Sequence, residues 1–296
     1  MQFYFFALYF FVYGFLGWCT EVGYAATQQG RFVNRGFLNG PICPVYGIGV
    51  GVVVQFLTPV EDHLLLLYLS STILVTLIEG FTGYLMDKIF HHKWWDYSNR
   101  PLNIGGYVCL SFSLVWGVAC VMIVKLIHPV IHKGLSFIPV TVGMILIIIL
   151  GIGLFADLYV TASGILKMNR RLEAMEKIAA ELRELSDKVG ENIYENVMDT
   201  MEFKEEKKEQ LDSVAEELRE GIRERMEEQK ARMEEQKARM EVIKAHMEEL
   251  RVRYEEMAEN RTRVGERLVK AFPGMESRLH KEILEELKER VKNARK

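Results

Sequence analysis

Residues 1–166 consist mostly of apolar runs, several of them long enough to cross a lipid bilayer. Crossing the hydrocarbon core takes about 20 residues of helix. This half of the chain holds only seven of the 37 Lys and Arg residues and seven of the 40 Asp and Glu residues. The near-neutral overall charge therefore averages an apolar half and a highly charged half. We predict an all-α protein, in which a polytopic integral membrane helix bundle is followed by a long helical tail.

Five transmembrane helices are predicted, with boundaries good to several residues. Their approximate ranges are 3–26, 43–58, 63–87, 104–127 and 136–160. The first run does not have the pattern of a signal peptide, because no Lys or Arg precedes it and it carries ten aromatic residues. We therefore interpret it as a retained membrane helix.

Glycines recur in three of these runs. They are Gly47, Gly49 and Gly51, then Gly80 and Gly83, then Gly151 and Gly153. Small residues allow helix backbones to approach closely in lipid. The pattern predicts helix contacts at these positions, and hinges for gating are the alternative.

Basic residues are distributed unevenly among the connections. The connections at 27–42 and 88–103 hold two and three of them, 128–135 holds one, and 59–62 holds none. The tail opens with three basic residues in its first turns. Lys and Arg accumulate on the cytoplasmic side of a membrane. We therefore expect a protein of the cell (inner or plasma) membrane, with its N-terminus outside and its C-terminal tail in the cytoplasm.

This topology places three acids of the apolar runs and three arginines of the loops on the cytoplasmic side. The six residues are Glu21, Glu79, Asp157, Arg31, Arg35 and Arg100. Acids at membrane depth usually pair with cations or line a wet cavity. We predict one polar cluster; ion pairs that merely hold the loops to the bundle are the alternative.

The connection before the fourth run carries an aromatic motif, Trp94, Trp95, Asp96 and Tyr97. Amphipathic aromatic side chains settle at the membrane–water boundary. The motif therefore predicts an interfacial anchor, with a functional site as the alternative.

Residues 167–272 have the pattern of charged helices. Apolar residues recur every three or four positions from Leu172 to Val197, which predicts an amphipathic helix able to pair with a partner. The sequence MEEQKAR then occurs twice in succession, at 226–232 and 233–239.

The repeat has the spacing of a coiled coil, but its charges oppose self-pairing. With methionine at each a position, the flanking e and g positions are Lys or Arg, so two such helices would bring like charges together. Within one helix, Glu228–Arg232 and Glu235–Arg239 are favourable pairs, each worth about 0.2–0.5 kcal/mol. We predict a stiff, solvated single helix; a coil with an acidic partner is the alternative.

A break at 271–274 (Ala-Phe-Pro-Gly) ends this helix, since Pro and Gly interrupt helices. Residues 273–296 then form a short amphipathic C-terminal helix in our prediction. It would dock back, pair with a partner or rest on a membrane surface, and the pattern leaves these alternatives open.

The sequence lacks the short motifs of phosphate loops, zinc proteases and serine hydrolases. Its four cysteines lie in or beside apolar runs without a CxxC pair, so neither a disulfide framework nor a zinc site is indicated. Acids match the basic residues of the tail, which argues against nucleic-acid binding. We expect no catalytic residues, no metal, no cofactor and no enzymatic activity.

Several motifs in about the first 160 residues resemble those of one bacterial family. They are GWCTE at 17–21, VNRGFLNGP at 33–41, PVYGIG at 44–49, WDYS at 95–98 and VCL at 108–110. In this order they are similar to the membrane proteins described as putative ABC-transporter type IV, or putative ABC transporter permease. The resemblance implies a polytopic bacterial inner-membrane protein. As a permease it would need a separate ATPase subunit, contacted through 27–42, 88–103 or the tail.

Two functions are compatible with these patterns. The first is a transporter permease subunit or channel component, with the polar cluster around a cytoplasmic-facing cavity. The alternative is a membrane-anchored scaffold or sensor that presents a long cytoplasmic helix to a protein partner. Both are set in the lipid bilayer, and both are compatible with a homo-oligomer.

Overall fold

A computed structural model describes residues 2–210, 217–260 and 262–293, which are nearly all helical. The helices are α1 (Gln2–Gln29), α2 (Pro44–Leu57), α3 (Leu64–Phe90), α4 (Leu110–Met122), α5 (His128–Ser136), α6 (Val140–Gln210), α7 (Glu217–Glu259), α8 (Arg263–Ala271) and α9 (Lys281–Asn293). A 3₁₀ turn (Thr58–Val60) follows α2, and a π-helix (Ile123–Ile127) joins α4 to α5. The strands are β1 (His92–Lys93), β2 (Asn103–Ile104), β3 (Val108–Cys109) and β4 (Glu276–Ser277). Strand β1 pairs with β4 and β2 with β3, both antiparallel.

The chain forms two compact units. One comprises Met1–Leu172 together with Arg261–Lys296, and the other comprises Glu173–Asn260. The C-terminal helices α8 and α9 therefore belong to the same unit as the apolar helices.

Among the described residues, four helical stretches are long and apolar enough to cross a membrane. They are Gln2–Gln29, Leu64–Phe90, Leu110–Ser136 and Val140–Glu202. A shorter apolar stretch, Pro44–Val60, coincides with the second predicted span. The predicted all-helical class is confirmed in outline, and the number of spans stays a prediction.

Helices α1 and α2 pack closely because glycines leave room for aromatic side chains between them. Gly17 faces Tyr46, and Gly47 lies against Phe10. Beyond these contacts, α1 and α2 meet α3 and α4 in a buried apolar cluster. Its members are Tyr9, Tyr13, Val53, Val54, Leu57, Leu67, Cys120 and Val124.

The other predicted glycine contacts are present in α3 and absent in α6. Gly80 faces Val108, and Gly83 faces aromatic side chains of the 91–109 connection. At Gly151 and Gly153, by contrast, nothing lies within 4 Å of the position that a Cβ would take. Of the predicted glycine contacts, those in α2 and α3 are therefore present, whereas α6 makes its close contacts at other glycines, Gly143 against Tyr4 and Gly164 against Val264.

Helix α4 begins later than the prediction of about 104, because the preceding residues form the β2–β3 hairpin. Asn103 is opposite Cys109 in this hairpin. Gly105 and Gly106 have φ angles of 62° and 77°. Glycine adopts this left-handed conformation readily, whereas other residues do so rarely. Two such residues in succession turn the chain, and the helix starts only after them, at Leu110.

Two histidines in α5 contact tyrosines of α1. The Tyr9 hydroxyl lies 2.5 Å from Nδ1 of His132, and the Tyr13 hydroxyl lies 3.0 Å from Nδ1 of His128. A polar group left unpaired among apolar helices is costly. These pairs therefore satisfy polar side chains that would otherwise be isolated, next to the π-helix.

Helix α6 continues well past the predicted end of its span near 160. It runs without interruption for 71 residues, from Val140 to Gln210. No proline occurs in this range, so every residue can contribute its backbone N–H to the helix.

In the second unit, α7 pairs with α6, which differs from the predicted single solvated helix. Nε2 of His246 lies 3.1 Å from Oε1 of Glu181. Both residues are 29 positions from the connection between the two helices, so the helices run antiparallel. Met175, Ile178 and Leu250 are buried on these helices.

The charge of α6 is compatible with this pairing. Residues 173–199 hold eight acids and three bases, so α6 has the composition of the acidic partner that was the alternative for the basic flanks of the repeat. Opposite charges across a helix pair set which partner is chosen. The repulsion between like charges applies to two copies of α7 side by side. It does not apply to a pair formed by α7 and α6.

Gly17→Ala should destabilise the first unit, because a Cβ at this position would overlap the side chain of Tyr46. Overpacking of this kind costs about 1–3 kcal/mol. Gly23→Ala in the same helix is the matched control, since nothing lies within 4 Å of its Cβ position. Thermal unfolding in detergent should show a lowered midpoint for Gly17→Ala alone. Equal midpoints for the two variants would contradict the α1–α2 contact.

Candidate functional site

The six residues predicted to form one polar cluster are divided among several places. Glu21 of α1 forms an ion pair with Arg35, with 3.3 Å between Oε2 and Nε. Tyr46 of α2 donates a hydrogen bond to Oε1 of Glu21 at 2.7 Å. Of the six residues, Glu21 and Arg35 are thus brought together, and Tyr46 contacts the same carboxylate.

Glu79 is half-buried in α3 and has a tyrosine as its partner. The hydroxyl of Tyr97 donates a hydrogen bond to its Oε1 at 3.3 Å. Its Oε2 is buried and has no hydrogen-bond partner among the described residues. An arginine partner for Glu79, which the ion-pair alternative would require, is not seen in the described part of the chain.

Glu21 and Glu79 act on the same pair of tyrosines. Burial raises the pKa of Tyr97, and the carboxylates of Glu79 and, more weakly, Glu21 raise this pKa further. Glu79 also interacts electrostatically with Tyr46. We call Glu21, Tyr46, Glu79 and Tyr97 the carboxylate site. It combines two carboxyl groups and two phenol groups. The ring of Phe112 stacks on that of Tyr97, with 5.0 Å between the ring centres.

The 91–109 connection reaches this site by folding back along α3. Three contacts at successive turns of α3 mark its path. They join Tyr107 to Asp87, Trp95 to Gly83, and Tyr97 to Glu79. Irregular backbone at membrane depth is tolerated where protein covers it or where it lines a water-filled cavity.

The aromatic motif packs this connection against protein. Trp94 is only 6% exposed, and its ring meets those of Phe37 and Phe272 edge-on at 5.4 and 5.1 Å. Trp95 donates its indole N–H to the carbonyl of Tyr107 at 2.9 Å. The two tryptophans therefore hold the loop that carries Tyr97.

Asp157 of α6 binds the 27–42 connection. It accepts hydrogen bonds from the backbone N–H of Asn39 at 3.1 Å and of Gly40 at 2.6 Å. The side chains of Asn39 and Thr161 donate to it as well, at 2.8 and 3.2 Å. Hydrogen bonds to the charged form stabilise a carboxylate, so Asp157 fixes this loop to α6.

The remaining predicted residues make local contacts. Arg31 donates a hydrogen bond to the side chain of Gln29 at 3.0 Å. The guanidinium of Arg100 lies 5.9 Å from the centre of a phenylalanine ring in α4. Asp96 accepts a hydrogen bond from the backbone N–H of Ser98 at 3.1 Å.

A contact that the sequence did not indicate joins α3 to residues 262–293, which we call the C-terminal segment. Arg278 donates to both carboxylate oxygens of Asp87, at 2.5 to 2.9 Å. Asp87 is 4% exposed, and its carboxylate holds the pKa of Arg278 above the usual range. The hydroxyl of Tyr107 also donates to Asp87, at 2.6 Å. Charge-assisted bonds of this kind are about twice as strong as neutral ones.

Further contacts bind the C-terminal segment to both connections. Arg267 of α8 donates to the carbonyls of Gly36 and Phe37 at 2.7 and 2.8 Å. Burial lowers the pKa of Arg267, and the carboxylate of Asp157 opposes this shift. Strand β4 of the same segment pairs with β1. The segment thus covers the loops that surround the carboxylate site.

The site offers carboxylate and phenol oxygens rather than a set of metal ligands. Within the described ranges, no group of three or more His, Cys, Asp and Glu residues is placed to hold a metal ion. The open oxygen of Glu79 can accept a hydrogen bond or bind a cationic group.

The family described as "Putative ABC-transporter type IV" matches residues 8–162, a little over half of the chain. This confirms the family resemblance. The matched range includes the whole carboxylate site and both loops, and it ends before the C-terminal segment. No curated protein and no solved structure matches the chain.

Arg278→Ala should loosen the C-terminal segment more than Asp87→Asn does. Loss of Arg278 leaves the buried carboxylate of Asp87 without this cation, at a cost of about 3 kcal/mol at most, because solvent screens the half-exposed guanidinium. Loss of the Asp87 charge leaves a guanidinium whose side chain is 51% exposed and which water can solvate. Limited proteolysis with chymotrypsin in detergent should cut Arg278→Ala faster.

The control for this comparison is Lys281→Ala, which removes an exposed ion pair with Glu276. Its digestion should match that of the wild type, because exposed pairs contribute little. Equal digestion of all three variants would show that the Asp87–Arg278 pair does not hold the segment.

Proposed function

Because the chain belongs to the putative ABC-transporter type IV family, we propose that it is the permease subunit of a transport system in the cell membrane. The observation that carries this proposal is the buried Oε2 of Glu79, which has no hydrogen-bond partner among the residues described. A cationic or hydrogen-bond-donating group of the substrate would bind there.

An isolated carboxylate in this position is costly to the fold. Ionisable residues within membrane helices are rare, face the protein interior or a wet cavity, and mark substrate or ion pathways. Glu21 has Arg35 and Asp157 has backbone donors, so their charges are satisfied structurally. Glu79 alone of the three predicted acids keeps an open oxygen, which favours a binding role for it.

The depth of Glu79 supports access from the loop side. The stretch from Leu64 to Glu79 spans about 22 Å at about 1.5 Å per residue. A hydrocarbon core is about 30 Å thick, so Glu79 would lie toward the loop-side boundary. The 91–109 connection brings Tyr97 to the same depth.

In the proposed orientation, the N-terminus is outside and the loops at 27–42 and 88–103 face the cytoplasm. The uneven distribution of Lys and Arg supports this topology. A reporter fused after Lys296 should then be active in the cytoplasm, and one inserted at 59–62 should be active outside. The reverse pair of results would move the carboxylate site to the outer side and remove the basis for cytoplasmic access.

A permease of this type would work with a separate ATPase subunit, and we propose no catalytic activity for the chain itself. The two loops are the candidate coupling segments. Both contact the C-terminal segment: Arg267 donates to the carbonyl of Gly36, and the backbone N–H of Arg278 donates to the carbonyl of His91. An ATPase that approached the loops would therefore also meet α8 and α9.

The alternative is a membrane-anchored scaffold or sensor, and one observation favours it. Arg278, near the end of the chain, binds Asp87, which lies two helical turns from Glu79 along α3. A partner that engaged the C-terminal segment would act on the helix that carries the open carboxylate. Loss of signalling with intact transport of every candidate substrate would select this alternative.

Glu79→Gln separates a binding role from a structural one. The glutamine keeps an acceptor for the Tyr97 hydroxyl and removes the charge, so unfolding in detergent should change little. Whatever growth phenotype deletion of the gene produces should nevertheless appear in full. Glu61→Gln, in the turn between α2 and α3, is the matched control and should behave as wild type.

Two results would contradict the proposal. A Glu79→Gln protein that supports wild-type growth has no need of the carboxylate. A large drop in its unfolding midpoint would instead make Glu79 a structural residue, and Tyr97→Phe would then lower the midpoint similarly.

A further inference from the structure

The part of the second unit nearest the α6–α7 connection exposes apolar side chains that its other part buries. In α6, Ile193 and Val197 are 51% and 52% exposed. In α7, Met226 and Met233 are 48% and 51% exposed. Large apolar residues grouped in this way on a soluble helix pair indicate an interaction surface.

These residues continue the stripe by which α6 and α7 pair. Met240 and Met247, which follow Met226 and Met233 at the same heptad position, are half-buried. Leu250 is only 5% exposed. The same heptad face is thus covered at one end of the helix pair and open at the other.

Counting along both helices from the contact between Glu181 and His246 shows which exposed residues lie at the same level. Met233 is level with Tyr194, and Met226 is level with Met201. Tyr194 and Met201 are 65% and 60% exposed. Two helices side by side leave part of each apolar stripe uncovered at every level, and a second helix pair would cover it.

Charge identifies the partner as a helix pair like this one. Residues 173–199 have eight acids and three bases, whereas residues 223–253 have eight acids and nine bases. The bases of the repeat flank its methionines at the e and g positions. They would repel a second α7 and attract the acidic side chains of a second α6.

We propose that two copies of the chain associate through this surface into a four-helix bundle, with each α7 packed on the α6 of both copies. A two-fold axis along the bundle makes every neighbouring pair of helices antiparallel, which is the arrangement already present within one chain. Both copies are anchored in one bilayer by their apolar helices, which raises their effective concentration. The proposal is independent of the function of the carboxylate site.

Charge substitution on the two faces of α7 tests this bundle in the full-length protein. Met226→Glu with Met233→Glu places two acids in the proposed interface. Ala231→Glu with Ala238→Glu makes the same change at exposed positions on the opposite side of the helix. Light scattering in detergent should give two chains per particle for the wild type and the alanine variant, and one for the methionine variant.

Cysteine crosslinking in membranes checks the same surface on α6, in a Cys19→Ser background because Cys19 is exposed. Val197→Cys should form crosslinked dimers with a short bismaleimide, since a single added cysteine on this face can link only two different chains. Asp199→Cys, two residues along on the opposite side of α6, should give little dimer.

Three results would overturn the proposal. A wild type that is monomeric in detergent and uncrosslinked in membranes has no such interface. Dimers that survive the methionine substitutions are held elsewhere. Equal loss of dimers in the methionine and alanine variants would mean that the added charge, not the face, is responsible.

Discussion

The first unit depends on how it satisfies the carboxylate of Asp87 at the end of α3. This side chain is almost fully buried, and a buried charge is stable only when it is paired and hydrogen-bonded. Arg278, 191 residues later in the chain, provides that partner. This ion pair holds the C-terminal segment against the apolar helices. The β1–β4 pair and the contacts of Arg267 involve the same segment.

The apolar helices could be predicted from sequence because their signal is local. A run of about 20 apolar residues identifies a span without knowledge of its neighbours. The exceptions were local as well: Gly105 and Gly106 delay α4 through their left-handed conformation. Helix α6 continues past the predicted end of its transmembrane span near 160. The change from apolar to charged composition there carries no signal that ends a helix.

The candidate site was only partly predictable, because side-chain partners are not local. The sequence identified Glu21 and Glu79 as costly acids in apolar runs and Arg35 as a cation on the same side, but not which partner each acid would meet. Arg278 is one of 30 basic residues beyond position 166, and nothing in its local pattern distinguishes it. Tyr46 and Tyr97 carry no charge, so a search for compensating cations passes over them.

The tail shows how an argument about one helix can leave out its partner. Like charges at the e and g positions argue against an α7–α7 pair. The helix that α7 pairs with was predicted separately. The apolar residues from Leu172 to Val197 indicate an amphipathic helix that is able to pair with a partner. The register between the two helices shows in a contact between residues far apart in sequence, Glu181 and His246, which neither local pattern could indicate.

The region that matches the family contains Asp87 but lacks the cation that pairs with it. Residues 8–162 contain Asp87 but not Arg278, and the nearby Lys93 is paired with Asp96. Asp87 and Glu79 lie two turns apart on α3, and both hold the 91–109 connection, through Tyr107 and Tyr97. Without Arg278, the buried carboxyl group of Asp87 would need another cation or would take up a proton. In this chain the C-terminal segment supplies the cation, so the element that neutralises Asp87 is also the one placed to shift the loop beside Glu79.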